Sequence, residues 1–171
     1  MFELLDDEFL LGDDVFHQVS DRDETDQLAG VHDRQVAQAV GVHLTQRAKA
    51  GDRAPGAIVN VSSDAGRRGT VGQINYGAAK SGILGLTMSS AREWARFGIR
   101  VNSVCFGVVE TPMTEVVRGE KFRDQYLAQI PMGRWATTDE VTPPICFLLS
   151  NAASYITGQH LSVNGGFHIE F

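Results

Sequence analysis

Residues 57–63 read Ala57-Ile58-Val59-Asn60-Val61-Ser62-Ser63, and thirteen positions after that last serine comes Tyr76, in the run Asn75-Tyr76-Gly77-Ala78-Ala79-Lys80. The first run, over Ala57–Ser62, is short, β-branched and almost continuously apolar, the pattern of a strand covered on both faces. The second run opens a helix from about Ile74 to Phe97. Its buried stripe is Ala79, Ile83, Leu86, Ser90, Trp94 and Phe97, and Gly98 supplies the stop. Arg100–Cys105 predicts a second strand, alternating inward at Val101, Ser103 and Cys105, and His160–Val163 predicts a third. A helical segment lies near Glu120–Ile130. Another helix starts at Thr138-Asp139-Glu140, capped by Thr137 or Thr138. Pro143-Pro144 are expected to disturb its first turns, because proline lacks the N–H that an interior turn requires. Strand–helix–strand–helix–strand with buried strands is an α/β pattern, a parallel sheet covered by helices.

Working outward, Asp64 to Gly72 is a glycine-rich loop containing Arg67 and Arg68, read as solvated, with steering of an acidic carrier as its alternative role. Upstream, Gly51–Gly56 is a turn, and Val36, Val40, Leu44 and Ala48 recur at helical spacing over about 32–49. Residues 1–35 hold 11 of the 21 acidic residues but 2 of the 15 basic ones, a local charge of −9 against −6 for the chain. Residues 1–50 are therefore an acidic segment, partly helical or disordered, and 51–171 carry the ordered pattern.

At 171 residues the chain is long enough for one domain with its own core. It has no apolar stretch of bilayer length, and its start is acidic where a secretory signal is basic, so cytoplasmic residence is the expectation. No basic stripe with interleaved aromatics marks a nucleic-acid surface. Cys105 and Cys146 are isolated and read as buried free thiols. His17, His32, His43, His160 and His168 show no metal-ligand spacing.

Tyr76 and Lys80 stand four apart, which puts phenol and ammonium on one helix face. A cation fixed beside a phenol favours the phenolate, so such a pair suits proton donation to a carbonyl oxygen that is receiving hydride. Read alone, the pair also fits an ordinary amphipathic helix start.

The joint spacing is more specific. Val59-Asn60-Val61-Ser62-Ser63, Gly72-Gln73-Ile74-Asn75-Tyr76, Lys80, Arg100-Val101-Asn102-Ser103, Tyr155-Ile156-Thr157-Gly158-Gln159 and Val163-Asn164-Gly165-Gly166 resemble the short-chain dehydrogenases/reductases, in the family's order. The 3-oxoacyl-[acyl-carrier-protein] reductase branch is the nearest in flavour, and the resemblance covers only the C-terminal catalytic part, about residues 56–166, so that 51–171 are expected to be the C-terminal part of such a domain and 1–50 a non-family segment. It implies a Rossmann-like, doubly wound sheet, incomplete for want of the N-terminal dinucleotide-binding strands. It implies NADP or NAD as cofactor and a ketone such as a 3-oxoacyl thioester as substrate. By resemblance, Ser63 hydrogen-bonds the substrate carbonyl, Tyr76 is the general acid/base, and Lys80 holds the nicotinamide ribose and acts on the tyrosine. Gly107, Val109 and Thr111 join Tyr76 and Lys80 as cofactor contacts, residues 112–135 form a mobile substrate lid, and Trp135 falls among the lid residues. A homo-oligomer, dimer or tetramer, is implied through the long helix after Tyr76 and the C-terminal strand.

The chain also departs from the family. Phe106 stands where the family has proline, and Gln38 falls at the catalytic asparagine position. A Gly-x-x-x-Gly-x-Gly loop, which lets backbone amides meet a pyrophosphate, is not found: Gly12, Gly30, Gly41 and Gly51 are scattered. Four preceding strands with their crossovers need on the order of 100 residues. Two functions follow as expectations: an NAD(P)-dependent ketoreductase using Ser63, Tyr76 and Lys80, or a truncated, cofactor-deficient remnant acting only through association.

Overall fold

The computed structural model of the chain describes residues 42–52 and 56–169. Expectations for the rest, including Gln38, His17, His32 and the upstream part of the first helix, lie outside those residues. Helix α1 occupies residues 42–49. Strand β1 (Ala57–Ser63) leads into a single-turn helix α2 (Ala65–Arg68) and the long helix α3 (Ile74–Trp94), continued by a 3-10 turn (Ala95–Phe97). Strand β2 (Arg100–Phe106) follows, then α4 (Glu115–Arg118), α5 (Glu120–Leu127), α6 (Thr138–Leu149) and strand β3 (His160–Val163). The three strands form one parallel sheet in the order β1-β2-β3, the α/β architecture that the sequence predicts.

Each face of the sheet has its own core. Ile58 and Val101 pack with Leu44, Ala91, Trp94, Phe97 and Ile99, which places α1 and α3 on one face. Val59, Val104 and Phe106 pack with Ile145, Leu148, Ala153 and Ile156, which places α6 on the other. Strand β2 is central and buried from Val101 through Cys105, so the alternation expected for it is not what the fold imposes. β1 carries the opposite correction. It is an outer strand of the described sheet, and Val61 is 46% exposed although the run is as apolar as a doubly covered strand. Sequence pattern records hydrophobicity; the neighbours decide burial.

Helix α3 ends where Gly98 takes a left-handed conformation (φ 73°), which residues with a Cβ rarely adopt. Of its expected stripe, Ser90 is buried, Trp94 and Phe97 pack against the core, and Ile83 and Leu86 are half-buried; Ala79 alone is exposed, and Thr87 and Ala91 are buried as well. The first turns of α3 extend past the sheet, with Ile74 82% exposed. Helix α6 is capped by Thr137, paired reciprocally with Glu140, and it runs unbroken through Pro143 and Pro144. The carbonyls those prolines leave without partners belong to Asp139 and Glu140, which are exposed to water. Cys105 is buried and Cys146 is exposed, so only one of the two thiols is enclosed as expected.

Candidate active site

In a parallel sheet all strands deliver their carboxyl ends to one edge, where ligand sites form. Ser63, Phe106 and Val163 share that last row of the register. Ser63 is half-buried, and its Oγ accepts a hydrogen bond from the Ala65 N–H at 3.2 Å. The hydroxyl proton stays available to an incoming oxygen. Tyr76 lies in the first turn of α3, half-exposed. One turn on, Lys80 Nζ stands 5.8 Å from the centre of the Tyr76 ring. It also donates to the Val61 carbonyl at 3.2 Å. Arg100 N donates to Gly56 O and Asp64 N to Phe106 O, so Ala57, Val59, Val61 and Ser63 turn their main-chain groups to the outer edge of β1. Lys80 thus reaches across that edge and ties the tyrosine-bearing turn to the serine-bearing strand.

The position of α3 depends on a close crossing with α2. A Cβ added at Gly66 would stand 2.6 Å from the Lys80 carbonyl carbon, so only glycine fits there. Ser62 Oγ donates to Lys80 O at 2.8 Å, and Ser81 Oγ donates to Gly66 O. Neither contact has a local sequence signal.

The Gly107 loop closes the same edge. Gly107 N donates to Val163 O, and a Cβ at Gly107 would meet Asn164 Cβ at 2.9 Å. Val109 is 8% exposed and bridges Ala136, so the excursion from 110 to 135 begins and ends at one point. Thr111 caps the turn Pro112–Thr114 reciprocally with Thr114, and Arg118 Nη2 donates to Thr111 O at 3.0 Å. Under this excursion lies a cavity of 200 Å³, walled by Val108, Ile130, Trp135, Val141 and Val163.

The segment expected as a solvated loop is the single-turn helix α2, in which Arg68 is exposed but Arg67 is half-buried and the preceding Asp64 is buried. Asp64 is 2% exposed and its Oδ2 accepts from Asn164 Nδ2 at 2.9 Å. Arg67 donates to Ser162 Oγ at 2.7 Å and to His160 O, and the Arg68 guanidinium sits 3.8 Å over the Phe167 ring. Burial pushes the Asp64 carboxyl up, opposed by the Asn164 bond and by the charges of His168, Arg68 and Arg67. Burial, reinforced by Arg67, pushes the His160 imidazole down, and its Nδ1 shares a 2.7 Å bond with Ser103 Oγ. Burial also pushes the Cys105 thiol up. Among the described residues no group of three His, Cys, Asp or Glu side chains converges on a metal position. No described helix is long and apolar enough to cross a membrane.

A phenol, an ammonium and a hydroxyl are groups that can bind and protonate a carbonyl oxygen, and Lys80 ties the phenol-bearing turn to the strand that ends in the hydroxyl. The ammonium of the half-buried Lys80 donates to one main-chain carbonyl at 3.2 Å, which leaves donors for a ribose diol. The donor set therefore fits the nicotinamide-ribose end of a dinucleotide. No described loop offers the amide nest that a pyrophosphate takes.

The chain is similar to known proteins over most of the described residues. The family model described as Enoyl-(Acyl carrier protein) reductase matches residues 19–168. The 3-oxoacyl-[acyl-carrier-protein] reductase of Thermotoga maritima is 49% identical over 111 residues, covering 65% of this chain and 45% of that protein. The acetoacetyl-CoA reductase of Synechocystis is 45% identical over 118 residues, covering 68% and 49%. Among solved structures, a candidate 2-deoxy-d-gluconate 3-dehydrogenase from Agrobacterium tumefaciens with bound NADP superposes with a TM-score of 0.70 at 37% identity, covering 77% of this chain and 52% of that one. The TT0495 protein of Thermus thermophilus superposes at 0.69 and 36%, covering 79% and 55%. The chain spans less than half the length of these curated relatives.

Proposed function

Because this chain belongs to the short-chain dehydrogenase/reductase family, in its 3-oxoacyl-[acyl-carrier-protein] reductase-like branch, we propose that it works as an NAD(P)-dependent ketoreductase on a 3-oxoacyl thioester or a similar ketone. The observation that carries this reading is that Lys80 Nζ, 5.8 Å from the centre of the Tyr76 ring, donates to Val61 O of the strand that ends in Ser63. Ser63 donates its hydroxyl proton to the substrate carbonyl oxygen while its Oγ is held by the Ala65 amide. Tyr76 gives its phenolic proton to that oxygen as the carbon takes hydride, so the ketone becomes a secondary alcohol and the tyrosine a phenolate that water reprotonates. Lys80 leaves the Val61 carbonyl, holds the ribose and faces the phenolate with its charge. Gly107, Val109 and Thr111 would be the residues beside the nicotinamide. That ring, when bound, supplies the hydride.

A second reading is association without turnover, and the outer edge of β1, which pairs with no other strand among the described residues, favours it: Val61 is 46% exposed beside a row of outward main-chain groups. Pairing would run through that edge, with the long helix α3 and strand β3 as further contact surfaces.

Titrating the full chain with NADPH and NADH, followed by nicotinamide fluorescence, separates the two. Saturable binding supports the ketoreductase. Failure to bind at millimolar cofactor, with oligomers in light scattering, supports association instead.

A further inference from the structure

We propose that Asp64 is a positioning residue: clamped by Asn164 from 100 positions away, it fixes the turn that aims the Ser63 hydroxyl. This rests on reading Ser63 as the group that binds the carbonyl oxygen.

Asp64 directly follows Ser63, and its main chain is held at both ends. Its N–H donates to Phe106 O, and its carbonyl accepts from Arg67 N and Arg68 N. The side chain binds a different part of the fold. Asn164 Nδ2 donates to Asp64 Oδ2 at 2.9 Å and to His168 O at 2.8 Å, while Asn164 Oδ1 accepts from Gly166 N at 2.9 Å. The back of Asn164 rests against Gly107. One amide side chain therefore joins the serine turn, the proposed nicotinamide loop and the turn after β3. Phe167 of that last turn meets both the Arg68 guanidinium, at 3.8 Å, and the Tyr126 ring of α5, at 6.1 Å between centroids.

A purely structural role explains this poorly. Asp64 Oδ1 is buried without a hydrogen-bond partner among the described residues. A buried carboxylate with one bare oxygen costs stability, and a neutral side chain of the same shape would avoid the part of that cost that comes from the charge. What the carboxylate adds is a charge-assisted bond, shorter and stiffer than a neutral one. The groups facing it are His168 from the last turn, Arg67 and Arg68 from α2, and the Cys105 thiol from β2.

Stability and alignment should therefore move in opposite directions. Burial raises the carboxyl in the folded state, so its contribution to stability is full in acid and is lost as pH rises through its titration. At neutral pH Asp64→Asn removes a cost and leaves Tm unchanged or higher. The Ala65 amide, which donates to Ser63 Oγ, reports the alignment directly. The test is residue-resolved amide exchange and thermal unfolding on the full chain. Asp64→Asn and Asn164→Ala are each expected to speed Ala65 exchange on the order of tenfold. Tyr76→Phe leaves it unchanged. In the unsubstituted chain Ala65 protection, corrected for intrinsic exchange, falls as acid protonates Asp64, and in Asp64→Asn it stays flat with pH. An unchanged Ala65 amide in both variants overturns the proposal, as does faster exchange in Asp64→Asn accompanied by a lower Tm, since that marks a merely structural clamp. None of these readouts requires turnover, so an inactive chain counts against the ketoreductase alone.

Discussion

Replacing Gly66 by alanine sets two effects of known size against each other. In a helical position alanine is better than glycine by about 1 kcal/mol, so on propensity alone the change stabilises. At Gly66 the new methyl would stand 2.6 Å from the Lys80 carbonyl carbon, 2.8 Å from Lys80 Cβ and 2.8 Å from Ser81 N. Normal carbon contact needs about 3.5 Å, so α2 and α3 must part by roughly 1 Å. Two of the three clashing atoms are main chain and cannot swing aside. Overpacking of this kind costs about 1–3 kcal/mol. The clash wins, leaving a net loss near 1 kcal/mol, or about 4 °C in Tm for a domain of this size. Parting the helices also moves Tyr76 and Lys80 away from β1, and a shift of that size costs a reaction about 100-fold. Gly82 and Gly85, further along α3, have nothing within 4 Å of an added Cβ, so alanine there is expected to stabilise by about 0.5–1 kcal/mol. Thermal unfolding followed by circular dichroism measures all three. If Gly66→Ala gains stability as the other two do, the close crossing that positions the tyrosine is wrong.

Two further outcomes concern pH. The folded state holds His160 below its usual 6.5, so its stability contribution is present above that value and is lost as pH falls. Urea midpoints at pH 7.5 and 5.5 should drop in the parent chain and drop less in His160→Gln. Glu140, bound by Arg134 and the Thr137 N–H, is held at about 2, so its contribution is present above the ordinary 4.5 and fades only as pH approaches 2. Glu140→Gln should remove that step from an acid titration of the helical signal, and an unchanged acid limb would contradict the pairing.

The elements were legible where the signal is local. The apolar run of β1, the glycine stop after α3, the Thr137 cap of α6 and the short strand His160–Val163 are each written in adjacent residues. Long-range packing was not. Asp64 and Asn164 meet across 100 positions, so a polar loop and a terminal motif gave no hint of one buried clamp. The period assigns Ala79 to the core, yet it is exposed, while the next two residues, Lys80 and Ser81, are the ones that meet Gly66. The prolines of α6 weakened its pattern, but the carbonyls they orphan face water. For the site, the four-residue spacing of Tyr76 and Lys80 foretold their shared face. It did not foretell that Lys80 would reach the Val61 carbonyl at the sheet edge.

The most direct test of the central claim is oxidation of NADPH by the full chain with a 3-oxoacyl thioester, set beside a Tyr76→Phe variant. Thioester-dependent oxidation in the parent, lowered about 100-fold or more by removal of that one proton donor, is the predicted result. Equal oxidation in both proteins, or none in either with saturating cofactor, would contradict it.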